Sequence, residues 1–176
     1  MDRIRDNDEV DAVEVGKPAP DFGLYDQNGE AWQLSSKRGK VVALVFYPKD
    51  ETIVCTRQLC SLRDRWEDYV ATKAVVVAIS PDTVESHKKF TASHRLPLPL
   101  LSDTGSVVAR KYTSHWLYPH SFTRGLVVID AEGIVRGRKV MPRIFRPIDS
   151  SVIAIIRMAQ LARYGIAIPG WSDKSA

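Results

Sequence analysis

The sequence predicts an α/β protein in which a mixed central sheet is flanked by helices. Two unbroken apolar runs, at 41–46 and 74–79, have the length of strands, and each is followed by a segment with helical character. Because neither run alternates with polar residues, we expect both faces of each strand to be covered. With 176 residues, the chain is long enough to form one domain with a sizeable core.

The predicted elements begin with a β-hairpin and then alternate between strands and helices. The hairpin joins short strands at 22–25 and 31–34 through an Asn-Gly turn. The remaining elements are a strand at 41–46, a helix at 52–70, a strand at 74–79, a helix from Ser80 to His94, strands at 126–130 and 134–140, and a helix at 147–164. A long linking stretch separates the second helix from the last two strands.

The final helix is expected to have an apolar face and an outer face. The expected core stripe consists of Ile148, Val152, Ile155, Ala159 and Ala162. Ile153, Arg157 and Leu161 are expected on the outer face, where they are either ordinary surface residues or part of a contact surface. We expect a monomer or a weak homodimer.

One domain is predicted at 15–164, between a polar arm at 1–14 and a tail at 165–176, because the chain shows no internal repeat and no low-complexity linker. The first 15 residues hold six acidic side chains and two arginines. Five cations without an acid lie at 136–146. Such a segment is typical of a solvated strand edge and loop, or of a surface for an acidic partner.

Composition and charge indicate which partners to expect. A net charge of +4 and 44% apolar residues describe a globular protein that is not a nucleic-acid binder by composition. The chain has no apolar run of about 18 residues, and its acidic start differs from a secretory signal, so we expect no membrane partner and a cytoplasmic location. In that compartment the two cysteines are expected to be thiols.

Cys55 lies where the first buried strand feeds a helix, which is where α/β sheets usually place their ligands. If Thr52 is the N-cap, Cys55 is the third helical residue, within the first turn. Unpaired N–H groups and the helix dipole favour an anion there, so the thiol ionises more readily and becomes a nucleophile. The alternative is that Cys55 is a small buried hydrophobe, as most free cysteines are.

Cys60 follows five residues later. In an intact helix this spacing separates the Cα atoms by roughly 8–9 Å, whereas a disulfide needs about 7 Å or less. A redox pair therefore requires Cys55 to react first, as a sulfenic acid, and the first turns to open before Cys60 reaches it. Alternatively, Cys60 packs beside Leu59 and Leu62 and never bonds Cys55. The spacing of cysteine and histidine disfavours a zinc site.

The segment around Cys55 resembles the active-site signature of the peroxiredoxins, because Pro48, Thr52 and Cys55 have the spacing P-x-x-x-T-x-x-C. Together with Tyr47-Pro-Lys-Asp50, it is similar to the bacterioferritin-comigratory-protein, or PrxQ, branch of the AhpC/TSA superfamily. Further matching segments, in the order that this branch would show, lie at 16–22, 80–82, 86–90, 100–103 and 129–133. The element order likewise resembles a thioredoxin-like fold with an N-terminal β-hairpin addition.

The resemblance implies a role for five residues. Cys55 would be the peroxidatic cysteine and Cys60 the resolving one. Thr52 would hydrogen-bond the thiolate and the peroxide, and Pro48 would shield the site from water. Arg124 fits the family's arginine before a later core strand, where a fixed cation stabilises both a thiolate and the charge that develops on the peroxide oxygens.

The activity implied is the reduction of hydrogen peroxide and organic hydroperoxides through an intramolecular disulfide, which thioredoxin or a similar dithiol then reduces. No metal, haem or flavin cofactor is implied. The chain departs from the branch at two places. Ile53 and Val54 replace a usual Pro-Gly, which affects how readily the first turn unwinds. Gln58 stands where the branch usually has Glu, so a charge is lost there.

Two other functions compete with the peroxidase. The first is a redox sensor that relays the oxidation state of Cys55 and Cys60 to a partner, for example through the basic segment 136–146. The second is a disulfide reductase, which is disfavoured because the cysteines have the spacing C-x₄-C rather than C-x-x-C.

Overall fold

The computed structural model describes residues 13–114, 124–141 and 149–161. Its strands are β1 (Gly23–Tyr25), β2 (Ala31–Gln33), β3 (Val42–Phe46), β4 (Val75–Ser80), β5 (Leu100–Ser102), β6 (Arg124–Ile129) and β7 (Val135–Met141). Its helices are α1 (Ile53–Asp64), α2 (Trp66–Ala71), α3 (Val84–His94), α4 (Val107–Thr113) and α5 (Asp149–Leu161), and a 3-10 turn lies at Ser35–Lys37. Among the described residues, no helix has the length and apolar character needed to cross a bilayer.

All seven of these strands form one mixed sheet in the order β2-β1-β5-β4-β3-β6-β7. Neighbouring strands are parallel from β3 to β4 and from β4 to β5, and antiparallel elsewhere. The predicted α/β class is therefore confirmed. The predicted hairpin is also present, and it extends the sheet beyond β5 with a left-handed Gly29 in its turn (φ 77°).

β3 is an interior strand between β4 and β6, and both of its faces are covered. Ala43 and Val45 belong to a core cluster that also contains residues of α1, α3 and α5. Val42 and Leu44 belong to a second cluster, which includes residues of α4 on the other face of the sheet. Successive side chains of a strand point to opposite faces, so an unbroken apolar run is what a strand between two helical layers requires, as predicted.

Two of the predicted helices differ from those in the structure. The helix expected at 52–70 is interrupted at Arg65 and forms α1 and α2. The next helix begins at Val84 with Thr83 as its N-cap, whereas Ser80 was expected to cap it. Ser80 instead ends β4, where it pairs with Ser102, so it is not available to begin a helix.

The expected linking stretch contains two short elements, β5 and α4. Both are too short to give a clear periodic pattern, with three and seven residues. Asp103 stabilises the start of α4, because its carboxylate accepts hydrogen bonds from the N–H groups of Val107 and Ala109 at 3.0 and 2.8 Å. A carboxylate at a helix N-terminus is favourable for the helix dipole.

The expectation for α5 was wrong at Ile153. This side chain has only 6% of its surface exposed and belongs to the same cluster as Val152 and Ile156. α5 therefore packs through a wider face than the predicted stripe, as a helix covering a sheet can. Arg157 and Leu161 are exposed, as expected. Ile148 and Ala162 lie outside the described residues.

The N-terminal arm and the basic segment are only partly described. Val13 is buried, and its N–H donates to the carbonyl of Lys111 at 3.0 Å, so packing begins near the end of the predicted arm. In the basic segment, Arg136 Nε lies 2.5 Å from Asp130 Oδ2. Arg138 Nε donates to the carbonyl of Tyr112 at 3.0 Å. These two cations therefore also make contacts within the domain.

Gly125 lies in β6 where a larger side chain has no room. A Cβ atom added there would meet Thr113 Cγ2 at 2.6 Å and Phe46 Cβ at 3.6 Å. The Thr113 hydroxyl donates to the Ala109 carbonyl at 2.7 Å, so its methyl group cannot rotate away without losing that bond. We expect Gly125→Ala to lower the free energy of unfolding by about 1–3 kcal/mol through overpacking, measured by urea denaturation.

Gly105→Ala is the matched control, because its Cβ would meet Val107 Cγ2 at 3.4 Å, an ordinary contact. We expect this variant to be as stable as the parent protein. Adding Thr113→Ser to Gly125→Ala removes the clashing methyl group and should restore much of the lost stability. Equal unfolding free energies for Gly125→Ala and Gly105→Ala would contradict the clash.

Candidate active site

The loop between β3 and α1 places Cys55 in the first turn of α1. Thr52 is the N-cap, and its Oγ1 accepts a hydrogen bond from the Cys55 N–H at 3.4 Å. Cys55 is the third residue of the helix, as predicted. The N–H groups of a first turn lack carbonyl partners within the helix, and the helix dipole adds partial positive charge there. The sulfur therefore lies at a helix end that favours an anion.

Arg124 reaches the same sulfur from the neighbouring strand. β6 is antiparallel to β3 and pairs Gly125 with Phe46, so the first residue of β6 lies beside the end of β3, close to the start of α1. Arg124 Nη2 donates to Cys55 Sγ at 3.1 Å. The sheet topology thus brings together two residues that are 69 positions apart.

Burial and charge distinguish the two interpretations of Cys55. The cysteine has no exposed surface, which by itself is common for a cysteine that only fills space. However, Arg124 has only 1% of its surface exposed and keeps its positive charge. A guanidinium in a medium of low dielectric constant attracts a thiolate strongly and a neutral thiol only weakly. A packing residue does not require such a contact, whereas a nucleophilic sulfur would use it.

Gln58 is the third member of this group. It lies one turn after Cys55 and has 4% of its surface exposed. Its Oε1 accepts a hydrogen bond from Arg124 Nη1. Its Nε2 is buried and has no hydrogen-bond partner among the described residues. Because an amide carries no charge, Gln58 orients the guanidinium without neutralising it, whereas a carboxylate there would share the cation with the sulfur.

Cys60 lies on α1 with Cys55, and both cysteines are free thiols. The helix is continuous over Ile53–Asp64, so the ideal separation of roughly 8–9 Å between their Cα atoms applies. Cys60 is half-buried, and its neighbours Leu59 and Leu62 are fixed in the core. This structure therefore keeps the two sulfurs apart, and a disulfide requires part of α1 to unwind.

Pro48 lies in the same loop and is half-buried. Its position between β3 and the N-cap is compatible with shielding the site, and that role stays a prediction. Because Cys55 has no exposed surface, a small molecule would reach its sulfur only if neighbouring side chains moved.

A buried polar cluster lies beneath this loop, formed by Tyr47, Asp50, Ser86 and His87; we refer to it as the Asp50 cluster. The Tyr47 hydroxyl donates to Asp50 Oδ1 at 2.7 Å. The Ser86 hydroxyl donates to Asp50 Oδ2 at 2.7 Å, and His87 Nδ1 lies 2.9 Å from the same oxygen. The cluster thus connects the β3–α1 loop to the first turns of α3.

The cluster sets the protonation of two of its members. Burial alone would raise the pKa of Asp50, but hydrogen bonds from His87 and Tyr47 outweigh burial and hold it below its ordinary value of 3.8. Burial first, and the Asp50 carboxylate second, raise the pKa of Tyr47 well above its ordinary value of 10.0. At neutral pH, Asp50 is therefore a carboxylate and Tyr47 is a hydroxyl donor.

Sequence reasoning assigned no role to Asp50 or His87, although both lie within the segments that resemble the family. They are 37 positions apart, so no local spacing connects them. The one sequence signal that could have placed His87 is Thr83 as the N-cap of α3. Thr83 Oγ1 accepts from the Ser86 N–H at 3.2 Å, and the next residue, His87, is the fourth residue of the helix.

Known proteins resemble this chain over most of its length. A family model described as the AhpC/TSA family matches residues 15–138. Peroxiredoxin Bcp of Bacillus subtilis (strain 168) is 38% identical over 137 residues, which cover 73% of this chain and 87% of that protein. The chloroplastic peroxiredoxin Q of Triticum aestivum is 41% identical over 129 residues, which cover 70% of this chain and 58% of that protein. The chain thus spans less than two thirds of the wheat protein.

The solved structures agree with the predicted thioredoxin-like architecture. Peroxidoxin BcpB from Mycobacterium tuberculosis superposes with a TM-score of 0.72 at 30% identity, and the match covers 84% of this chain and 99% of that one. The bacterioferritin comigratory protein of Xanthomonas campestris, 22% identical with a TM-score of 0.69, shares the fold. On the family model, the sequence relatives and the fold together, this chain belongs to the AhpC/TSA family, with relatives named peroxiredoxin Q and Bcp.

Proposed function

We propose that this protein is a thiol-dependent peroxidase in which Cys55 is the nucleophile. The observation that carries the proposal is the contact of 3.1 Å between Arg124 Nη2 and Cys55 Sγ at the N-terminus of α1. The substrate class is a hydroperoxide, either hydrogen peroxide or an organic one. The names of the relatives in the AhpC/TSA family support this chemistry.

In the first step, the Cys55 thiolate attacks the terminal oxygen of the peroxide. A sulfur–oxygen bond forms, the oxygen–oxygen bond breaks, and the leaving oxygen takes a proton from solvent to become water or an alcohol. Cys55 is oxidised to a sulfenic acid and the peroxide is reduced. Negative charge moves from the sulfur to the leaving oxygen, so donors fixed in advance, Arg124 and the N–H groups of the first turn, stabilise the transition state.

In the second step, Cys60 resolves the sulfenic acid. The Cys60 sulfur bonds to the Cys55 sulfur, and the sulfenic oxygen leaves as water. This step requires the first turns of α1 to unwind, because the intact helix holds the two sulfurs apart. A thioredoxin-like dithiol then reduces the disulfide by exchange, which returns both cysteines to thiols.

The start of α1 is suited to such unwinding. Opening the first turn breaks the Thr52 cap and the bond of 2.8 Å from the Thr56 N–H to the Thr52 carbonyl. Ile53 is already 73% exposed in the folded helix, so unwinding uncovers little additional apolar surface from this residue. Leu59 is buried in the core, so the unwound segment should end before this residue.

Cys55→Ser should abolish peroxide consumption, because a hydroxyl does not supply the nucleophile. Cys60→Ser is the matched variant, since it removes the other thiol and leaves the Cys55 site intact. We expect Cys60→Ser to consume one equivalent of hydrogen peroxide in the first turnover at close to the wild-type rate, measured by stopped flow. Unchanged peroxide consumption by Cys55→Ser would refute Cys55 as the nucleophile.

Arg124→Gln should lower the second-order rate constant for oxidation of Cys55 by about 100-fold or more, because it removes a fixed charge from the transition state. Arg136→Gln serves as the control, since Arg136 is also paired, with buried Asp130, but lies near the start of β7. Arg124→Lys retains a cation, so its rate constant should fall less than that of Arg124→Gln. Equal rate constants for Arg124→Gln and Arg136→Gln, with both proteins folded, would remove Arg124 from the reaction.

Intact-mass spectrometry tests the resolving step. After one equivalent of peroxide, the wild-type protein should lose two hydrogen atoms, located in a peptide that contains Cys55 and Cys60. Cys60→Ser should instead gain one oxygen atom. A wild-type protein that also gains only oxygen would exclude the intramolecular disulfide. Sustained peroxide turnover with thioredoxin would distinguish the enzyme from a redox sensor, which is oxidised once and then read by a partner.

A further inference from the structure

We propose that the Asp50 cluster is a positioning group for Cys55, which fixes the β3–α1 loop on α3 so that Thr52 and the first turn of α1 hold the sulfur against Arg124. The inference rests on the peroxidase function proposed above. It assigns Tyr47, Asp50 and His87 an indirect role in the reaction through the loop.

The side chain of Asp50 is held from three directions. Asp50 has 4% of its surface exposed, and Tyr47 and His87 have 2% and none. Both carboxylate oxygens are used, one by the Tyr47 hydroxyl at 2.7 Å and the other by Ser86 and His87 at 2.7 and 2.9 Å. A carboxylate with its oxygens satisfied in this way has one orientation, and any rotation leaves a buried donor unpaired.

His87 is itself fixed on its other side. Its Nε2 lies 3.2 Å from the carbonyl of Leu101 in β5, while Nδ1 faces Asp50 Oδ2. Each ring nitrogen therefore faces an oxygen that accepts hydrogen bonds. The ring connects the β3–α1 loop to α3 and to the sheet, and its orientation is determined at both ends.

The backbone at Asp50 is held as well. Its N–H donates to Asp82 Oδ2 at 2.8 Å, and the same oxygen accepts from the Ser80 hydroxyl at 2.8 Å. Between this residue and the Thr52 cap stands only Glu51, which has a left-handed backbone with φ 58°. A residue other than glycine is strained in this region, so the neighbouring contacts must hold it there.

These contacts define where α1 is able to unwind. The chain is fixed at Asp50 before the helix and at Leu59, which is fully buried, within it. Opening is thereby confined to the residues between them, which include Thr52 and Cys55. The Asp50 cluster keeps the N-terminal end of this segment in place, so that the sulfur returns to Arg124 when the helix re-forms.

The experiment compares two substitutions of His87 in the full-length protein. His87→Asn retains an amide donor near the position of Nδ1, whereas His87→Leu has a similar volume and no donor. We expect the second-order rate constant for Cys55 oxidation by hydrogen peroxide to fall about tenfold or more in His87→Leu, because small displacements of reacting groups are costly. It should stay within about threefold of wild type in His87→Asn. If His87 only fills space, His87→Leu should instead have the higher rate constant of the two variants.

Asp103→Asn is the control for a general loss of stability. Asp103 is as buried as Asp50, at 4% exposure, but it accepts hydrogen bonds at the start of α4 on the opposite face of the sheet. We expect Asp103→Asn to lower the melting temperature and to leave the rate constant unchanged. Asp50→Asn should lower both. If His87→Leu does not fold, Tyr47→Phe provides the test, since it removes one hydroxyl and keeps the ring. We expect Tyr47→Phe to lower the rate constant for Cys55 oxidation at least threefold.

The outcomes separate the two proposals. A wild-type protein that does not react with peroxide would refute the peroxidase function itself. The positioning role, but not the peroxidase function, would be overturned if the wild-type protein reacts and three variants react as fast as Asp103→Asn. These variants are Asp50→Asn, His87→Leu and Tyr47→Phe. The positioning role would be supported if the rate constant for Cys55 oxidation falls in His87→Leu and is close to that of wild type in His87→Asn.

Discussion

The contact between a buried guanidinium and a buried sulfur organises the candidate active site. Arg124 Nη2 lies 3.1 Å from Cys55 Sγ, and neither residue has more than 1% of its surface exposed. In water, a cation at this distance would do little for a thiol, because solvent screens the attraction. In the protein interior the attraction between a guanidinium and a thiolate is several times stronger, so the exclusion of water by the fold gives this contact its strength.

Sheet topology makes this contact possible, and polar interactions on both sides of the loop make it specific. The antiparallel pairing of β3 and β6 brings Arg124 to the end of the sheet where α1 begins. Gln58 then orients the guanidinium from within α1. On the other side of the loop, the Asp50 cluster satisfies a buried carboxylate with three donors. A half-satisfied polar group in the core would be costly, so such clusters favour a single arrangement.

The sequence predicted the elements that local patterns determine. The unbroken apolar run in β3 indicated a strand with two covered faces, and Thr52 before Cys55 indicated a capped helix. Each of these signals is contained in a few consecutive residues. Strand β5 and helix α4 were missed, since elements of three and seven residues carry too little periodicity. Ile153 was assigned to the wrong face because the width of a buried helix face depends on what covers it.

The contacts of the site follow the same division. The candidate residues Pro48, Thr52, Cys55 and Cys60 lie within 13 positions of sequence, so their spacing could be read directly. Arg124 was reached only through resemblance to a family, because its contact with Cys55 spans 69 positions. The pairing of Asp50 with His87 spans 37 positions and has no local pattern at all. Contacts of this kind are fixed by the register of the sheet and the placement of helices on it, which no short window of sequence contains.

The proposed cycle places two opposing requirements on α1. The reaction with peroxide needs the first turn folded, because its N–H groups and Arg124 surround the sulfur only then. Disulfide formation needs the same turn open. A uniformly stable helix would meet the first requirement and fail the second. In α1 the stability is unevenly distributed, since Leu59 and Leu62 are buried in the core whereas Ile53 is 73% exposed. The helix can therefore open at one end without losing its packing at the other, which is the property that a pair of cysteines five residues apart requires.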